Sequence, residues 1–372
     1  MACVSAAGNA QQAAPTVDLA AALKEYQLQE SDRPARELVL SWTVPSKLVV
    51  KIDSPQRTAW LQAAMPAGVK VVGVRDVVEA AAELSDADAL VLLGCAQDTI
   101  ATAPKVRWID VDSGGTDWCL TVPGIARSDI ILTNAQKVKN TILAEMAMGY
   151  VFALARSIDV GLENQRLGNL DAIRGRPAMQ LQGATMLIVG LGGAGTEIAR
   201  IAHAIGMRVI ATRYSSRTGP PFVSYVGLAD ETEKLVSQAD VVVVCAPLTP
   251  ATRGLFNAAM FRRMKRNAMF VDWSRAEITV PDDLAAALNA RTIGSAALNW
   301  ATKAPLPKTS PLWSAPNLIL TPWAGTGGGA EVNEANQGKA NVEMRWLVVR
   351  ENMRRFALGE RMYSVVDVKR GY

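Results

Sequence analysis

The segment LIVGLGGAGTEIARIAHAIGMRVIATR, residues 187–213, constrains this chain more than any other. An apolar run ends at Gly190, and Gly190, Gly192 and Gly195 fit G-x-G-x-x-G, with Gly193 and Ala194 between the second and third glycines. A helical pattern follows at once, and a second apolar run, 209–211, closes the unit. In such a unit the first glycine makes a tight turn and the second lets bare backbone approach a pyrophosphate. The third lets the helix pack close to the strand, with the helix N-terminus facing the negative charge. A lone glycine triplet is weak evidence, but strand, loop, helix and second strand in register point to a dinucleotide site.

The second strand of such a unit commonly ends in an acidic residue that holds the ribose 2′-OH of NAD. Here it ends in Arg213, with Ser215, Ser216 and Arg217 close behind. An acid would repel a 2′-phosphate, whereas guanidinium and hydroxyl groups would bind one. NADP is the expected cofactor, with NAD possible.

Short apolar runs alternate with helical patterns along the rest of the chain, the sign of an α/β protein with parallel sheets. Strands are expected at 47–52, 69–74, 89–94, 106–111 and 130–134, with helices at about 56–65 and 77–84 between them. A long helix, 140–158, then leads into a polar stretch. A second series of about six strands begins at 184 and ends with NLILTP, 317–322, before a final helix at about 331–356. These elements predict two doubly wound parallel sheets in two Rossmann-like domains. Residues 158–325 form the dinucleotide-binding domain, and 36–150 with 331–372 form a discontinuous outer domain that handles substrate. Residues 1–35 are expected to be disordered or extended.

At 372 residues the chain has room for two cores. No apolar run reaches the roughly 20 residues that span a bilayer. The net charge is only +4 and the basic residues are scattered, so neither nucleic acid nor a membrane is an expected partner. Cys3, Cys95, Cys119 and Cys245 show neither CxxC spacing nor histidine neighbours, so neither structural zinc nor a disulfide framework is expected. Cys245 reads as a small core residue. The first residues, MACVSAAG, lack a complete signal peptide, which implies a cytoplasmic protein; a trimmed export signal would instead imply a periplasmic or lipid-anchored one.

The order of motifs resembles the D-isomer-specific 2-hydroxyacid dehydrogenases over about residues 45–372. LQGATMLIVGLGGAG resembles the start of that family's cofactor domain, and APLTPATRGLFN, with Pro247 and Thr252, its loop near the nicotinamide. MFVDWSRAEITVPDDLAAALNARTIGSAAL is similar to its arginine-bearing strand and following helix. DSGGTDW, with Ser113, Gly114 and Gly115, is similar to its substrate-facing loop. The resemblance implies a homodimer joined through the cofactor domains and a small-molecule substrate.

It also implies three catalytic groups: an arginine for the substrate carboxylate, a histidine that moves the hydroxyl proton, and a glutamate that tunes the histidine. Arg275 stands at the arginine position. In LNWATKAPLP, Asn299 and Thr302 replace acids and Ala304 stands in the place of the glutamate. In TPWAGTGGG, Trp323 stands in the place of the histidine. The chain's one histidine, His203, is in the helix after the glycine loop, where it reads as a packed helix residue. Asp272 stands where asparagine is usual, and Ala276 where glycine is usual.

Hydride can leave carbon only if a base near neutrality removes the oxygen's proton in step. With the histidine gone, Lys139 and Asp272 are the candidates to move that proton, beside Arg275 as the anchor. Lys137 is a second cation in the same segment, 134–145. Trp118, Trp273, Trp300 and Trp323 belong to segments that would surround the interdomain cleft, either filling vacated space or forming a flat pocket for a bulky substrate. The leading expectation is an NADP-dependent oxidoreductase with altered chemistry, acting on an anionic substrate that can also be aromatic or bulky. The alternatives are a redox-neutral lyase or hydrolase with tightly bound NADP, and a non-enzymatic NADP-binding sensor or scaffold.

Overall fold

The computed structural model describes residues 18–20, 23, 28–125, 130–138, 140–169, 178–300, 305–322, 339–368 and 370. The expectations for Lys139, Thr302, Ala304 and Trp323, and for most of residues 1–27, lie outside them.

Two sheets, parallel throughout, organise the chain. The first contains β1 (Lys47–Lys51), β2 (Lys70–Val74), β3 (Ala89–Val91), β4 (Trp108–Asp110) and β5 (Ile131–Thr133), in the order β2-β1-β3-β4-β5. The second contains β6 (Thr185–Val189), β7 (Arg208–Arg213), β8 (Tyr225–Leu228), β9 (Val241–Val244), β10 (Met269–Asp272), β11 (Ser295–Trp300) and β12 (Leu318–Pro322). Its order is β12-β11-β10-β9-β6-β7-β8. Central strands such as β6 and β9 are buried along their whole length. They read as continuous apolar runs because helices cover both faces of the sheet. The second sheet has seven strands rather than about six; the unexpected one, β8, is a short edge strand in which only Val226 and Gly227 are buried.

Five helices matter for the site: α1 (Asp117–Leu120), α2 (Asn140–Ala155), α3 (Ile158–Arg166), α4 (Gly193–Ala204) and α5 (Lys339–Leu358). On α2, Ala144, Ala147, Met148, Val151 and Leu154 recur at helical spacing and are buried. They share one core with Ile198, Ala199 and Ala202 of α4. The helix expected over 140–158 is present but ends at Ala155, and a second helix, α3, occupies the start of the stretch expected to be a polar linker. Ser157 takes a left-handed conformation (φ 55°), and α3 leaves at 69° to α2. The break has no proline or glycine to announce it in the sequence.

After the second sheet the chain returns to the first. Val349, Met353 and Phe356 of α5 pack on Leu48 and Val50 of β1 and on Trp108 of β4. The Trp108 and Phe356 rings lie 5.2 Å apart. Burying each such side chain stabilises by about 1.5–3 kcal/mol. Arg345 adds a buried ion pair to Asp110 and donates to the carbonyl of Val111 at 3.0 Å. The outer domain is therefore discontinuous in sequence. No single helix among the described residues is long and apolar enough to cross a membrane.

Candidate functional site

The order of the second sheet reverses between β6 and β9, so a crevice opens at their carboxyl ends, where ligands of open α/β sheets bind. Gly190 ends β6 with φ 103°, and a Cβ there would come within 2.8 Å of the Ala246 nitrogen beyond β9. Both facts demand glycine. A Cβ on Gly195 would meet the Gly190 carbonyl at 2.3 Å, so helix and loop touch through bare backbone. A Cβ on Gly192 would meet nothing within 4 Å. That is the geometry a pyrophosphate needs: room above Gly192 and the first turn of α4 beyond it. Gly193 carries the amide of Asn140, from the first residue of α2, where a Cβ would sit 2.5 Å from its Nδ2. The helix that joins the two domains thus starts on the glycine loop.

Arg213, at the end of β7, is beside this crevice, because Gly190 and Leu191 donate to the carbonyl of Thr212 at 3.2 and 2.9 Å. Its Nη1 donates to the Thr218 carbonyl at 3.3 Å, and the hydroxyls of Ser216 and Thr218 are 2.9 Å apart. Ser215 is exposed next to them. Arg217 turns instead to Glu231, at 2.5 Å. Hydrogen bonds from Tyr225 and the Leu228 amide, with Arg217 beside them, hold the Glu231 carboxyl down to about 2. Lys137 reaches the same neighbourhood from the segment before α2, with φ 68°. Burial and the charge of Arg213 lower its ammonium from the ordinary lysine range. Lys137 and Arg213 thus lie close enough for each to feel the other's charge. On the other side of the crevice, Thr252 Oγ1 donates to the Pro247 carbonyl at 2.7 Å and receives the Thr249 amide at 2.8 Å, fixing that loop.

Arg275 follows β10 and crosses to the outer domain. Its Nη2 and Nε lie 2.8 and 3.0 Å from Oδ1 of Asp117, and Nε is 3.2 Å from Oδ2. Beneath the guanidinium is Gly115, where a Cβ would be 2.0 Å from Nη2. The loop carrying Gly115 is braced by Ser113 Oγ donating to the Gly115 carbonyl at 2.6 Å and by Asn134 Nδ2 donating to that of Gly114 at 2.8 Å. Arg275, Ser113, Gly114 and Gly115 are therefore brought together as the sequence implies. Asp117 was missed because nothing in its local pattern marks it as a partner of a residue 158 positions away.

Asp272 sits under this arginine with no exposed surface. It accepts from the Ser274 amide and hydroxyl at 3.0 and 2.7 Å and from the Thr279 hydroxyl at 2.6 Å. Burial pushes its carboxyl up to about 6, against the opposing effect of those donors. Both its oxygens are committed to the turn that presents Arg275. Burial, with the charge of Asp272 adding to it, pushes the nearby Cys245 thiol up to about 12, in keeping with an inert packing residue.

The tryptophans separate. Trp273 is buried in the core of the second domain, its ring 5.7 Å from Tyr150, so it does not line a cleft. Trp300 is half-buried at the end of β11. Tyr150 of α2, buried in the same core as Trp273, places its hydroxyl 2.5 Å from Thr321 Oγ1. His203 is exposed, lying against Phe222 rather than within a packed helix face. Contrary to expectation, Cys95 and Cys119 form a disulfide, with Cα atoms 5.3 Å apart. It ties the loop after β3 to α1, and so to Asp117. Among the described residues no group of three or more His, Cys, Asp or Glu could hold a metal.

Residues 148–325 match the family model of the D-isomer specific 2-hydroxyacid dehydrogenase NAD binding domain. A glyoxylate reductase of Korarchaeum cryptofilum is 31% identical over 253 residues, 65% of this chain and 74% of that protein. The chain belongs to the D-isomer specific 2-hydroxyacid dehydrogenase family. As a member it is an NAD(P)-dependent oxidoreductase by fold and by relatives. It is also 29% identical over 291 residues to a D-3-phosphoglycerate dehydrogenase of Methanocaldococcus jannaschii, of whose length it spans about half, 53%. Among solved structures, an NADPH-dependent glyoxylate/hydroxypyruvate reductase of Sinorhizobium meliloti in complex with NADP and sulfate superposes with a TM-score of 0.70 at 25% identity. That match covers 88% of this chain and all of the other.

Proposed function

We propose that this dehydrogenase-family protein is an NADP-dependent oxidoreductase with an altered active site, acting on an anionic, bulky or aromatic substrate. The observation that carries the reading is the pairing of a complete cofactor crevice, open above Gly192, with a presented guanidinium, Arg275, in a chain whose one histidine is exposed on α4. The chemistry of Gly190, Gly192, Gly193, Ala194 and Gly195 fits a dinucleotide, which when bound supplies or accepts the hydride. Arg213, Ser215 and Ser216 are the proposed holders of the 2′-phosphate. Arg217 contributes less, since Glu231 already neutralises it.

Arg275 orients the substrate's anionic group against the Ser113–Gly115 loop, and Trp300 offers an apolar wall. Trp323, in the family's histidine position by sequence, carries an indole that cannot move a proton at neutral pH. The burial and hydrogen bonding of Asp272 make it a positioning residue for Arg275 and leave Lys139 as the proposed proton carrier. Apolar side chains exposed where α2 meets α3, among them Phe152, Ile158 and Leu162, support a homodimer through the cofactor domain. The buried disulfide supports an oxidising compartment rather than the cytoplasm.

The test is NADPH oxidation with glyoxylate, hydroxypyruvate and phenylpyruvate as acceptors. Phenylpyruvate should be preferred, and Arg275→Met should lower kcat/KM by roughly a hundredfold, the cost of losing a charge-assisted pair to substrate. Unchanged turnover in that variant would refute the site. NADP that copurifies and is never consumed would favour the redox-neutral alternative.

A further inference from the structure

Asp117 and Arg275 come from different domains, yet their contact is one of the most closely specified in the cleft. Three nitrogen–oxygen distances lie between 2.8 and 3.2 Å, and both side chains are largely covered, 26% and 16% exposed. The carboxylate does not wander to that position. It heads α1, whose Cys119 is cross-linked to Cys95, and the preceding Thr116 is buried. The guanidinium is seated on Gly115, where any side chain would collide with it. An arginine charged with receiving a substrate carboxylate therefore begins with a carboxylate of the protein's own.

We infer that Asp117 is a specificity-determining residue, a resident competitor that small carboxylates displace poorly and bulky acids displace well. The inference rests on the reading of Arg275 as the substrate anchor. A second carboxylate brought to the same guanidinium meets a like charge at about 5 Å. In a partly covered site that repulsion lowers affinity on the order of a hundredfold unless Asp117 swings aside. Moving Asp117 means moving α1 against its disulfide. Glyoxylate and its like bring little besides their carboxylate to offset this. A larger acid adds apolar contact with the half-buried Trp300 at the end of β11, and that contact supplies what displacement costs.

Oxalate is a suitable probe, since its binding can be read by calorimetry without turnover. It is titrated into the full chain saturated with NADP, for wild type, Asp117→Asn, Asp117→Ser and Arg275→Met, with NADPH affinity measured in each as a check on folding. Both Asp117 variants should bind oxalate at least about tenfold more tightly than wild type, a gain that mere loss of structure does not produce. Arg275→Met should bind it no better than wild type. Equal or weaker oxalate binding by both Asp117 variants, with NADPH binding intact, overturns the inference, for Asp117 would then only steady the arginine. Oxalate binding by Arg275→Met as tight as that of Asp117→Asn would place the failure in the reading of Arg275 instead.

Discussion

Asp272 accepts a 2.6 Å hydrogen bond from the hydroxyl of Thr279 in a place where it exposes no surface at all. Burial outweighs its three donors and raises its carboxyl from 3.8 to about 6. A carboxyl whose pKa is raised on folding holds its proton more tightly in the folded chain. Its contribution is therefore most favourable below the unfolded value and declines as pH rises to the folded one.

The expected consequence is a loss of roughly 3 kcal/mol of stability between about pH 4 and pH 6 from this group alone. Asp272→Asn keeps the shape, can accept from Ser274 and donate to Thr279, and lacks the titration. Urea unfolding at a series of pH values should show the variant gaining on wild type across that window and keeping the gain above it. Parallel profiles would show that Asp272 is not perturbed.

The Cys95–Cys119 bridge closes a separation of 24 residues and anchors α1. Chain-entropy reasoning gives such a cross-link about 3 kcal/mol. Peptide mapping of protein denatured without reductant should find Cys95 and Cys119 protected from alkylation, and reductant should expose both. Cys119→Ser should be destabilised by about that amount. Alkylation of both residues without reductant would mean that α1 is held by packing alone.

Burial lowers the Lys137 ammonium from the ordinary lysine range, and the charge of Arg213 adds to the effect. A phosphate placed between them would raise the Lys137 pKa again, so binding takes up protons and weakens as pH rises through the free-state value. Calorimetry in buffers of different ionisation heat, run in the alkaline range where a lysine titrates, should detect proton uptake on NADPH binding, and Lys137→Met should abolish it. Proton-silent binding by wild type would separate Lys137 from the cofactor.

What the sequence disclosed and what it hid divide along a physical line. The central strands are continuous apolar runs because helices bury both their faces, and the glycine loop is legible because its strand, turn and helix are contiguous. Strand β8 escaped because an edge strand with two buried residues carries almost no pattern. The bend at Ser157 escaped because a left-handed serine has no compositional mark. The disulfide and the Asp117–Arg275 pair depend on which loops the two sheets bring together, and no local spacing encodes that.

The central claim is that the crevice beyond β6 and β7 selects NADP. The most direct measurement is the ratio of dissociation constants for NADPH and NADH, in wild type and in Arg213→Ala. NADPH should bind at least about tenfold more tightly to wild type, consistent with one charge-assisted phosphate contact, and the ratio should collapse in the variant. Equal affinities in wild type, or tighter NADH, would contradict the account.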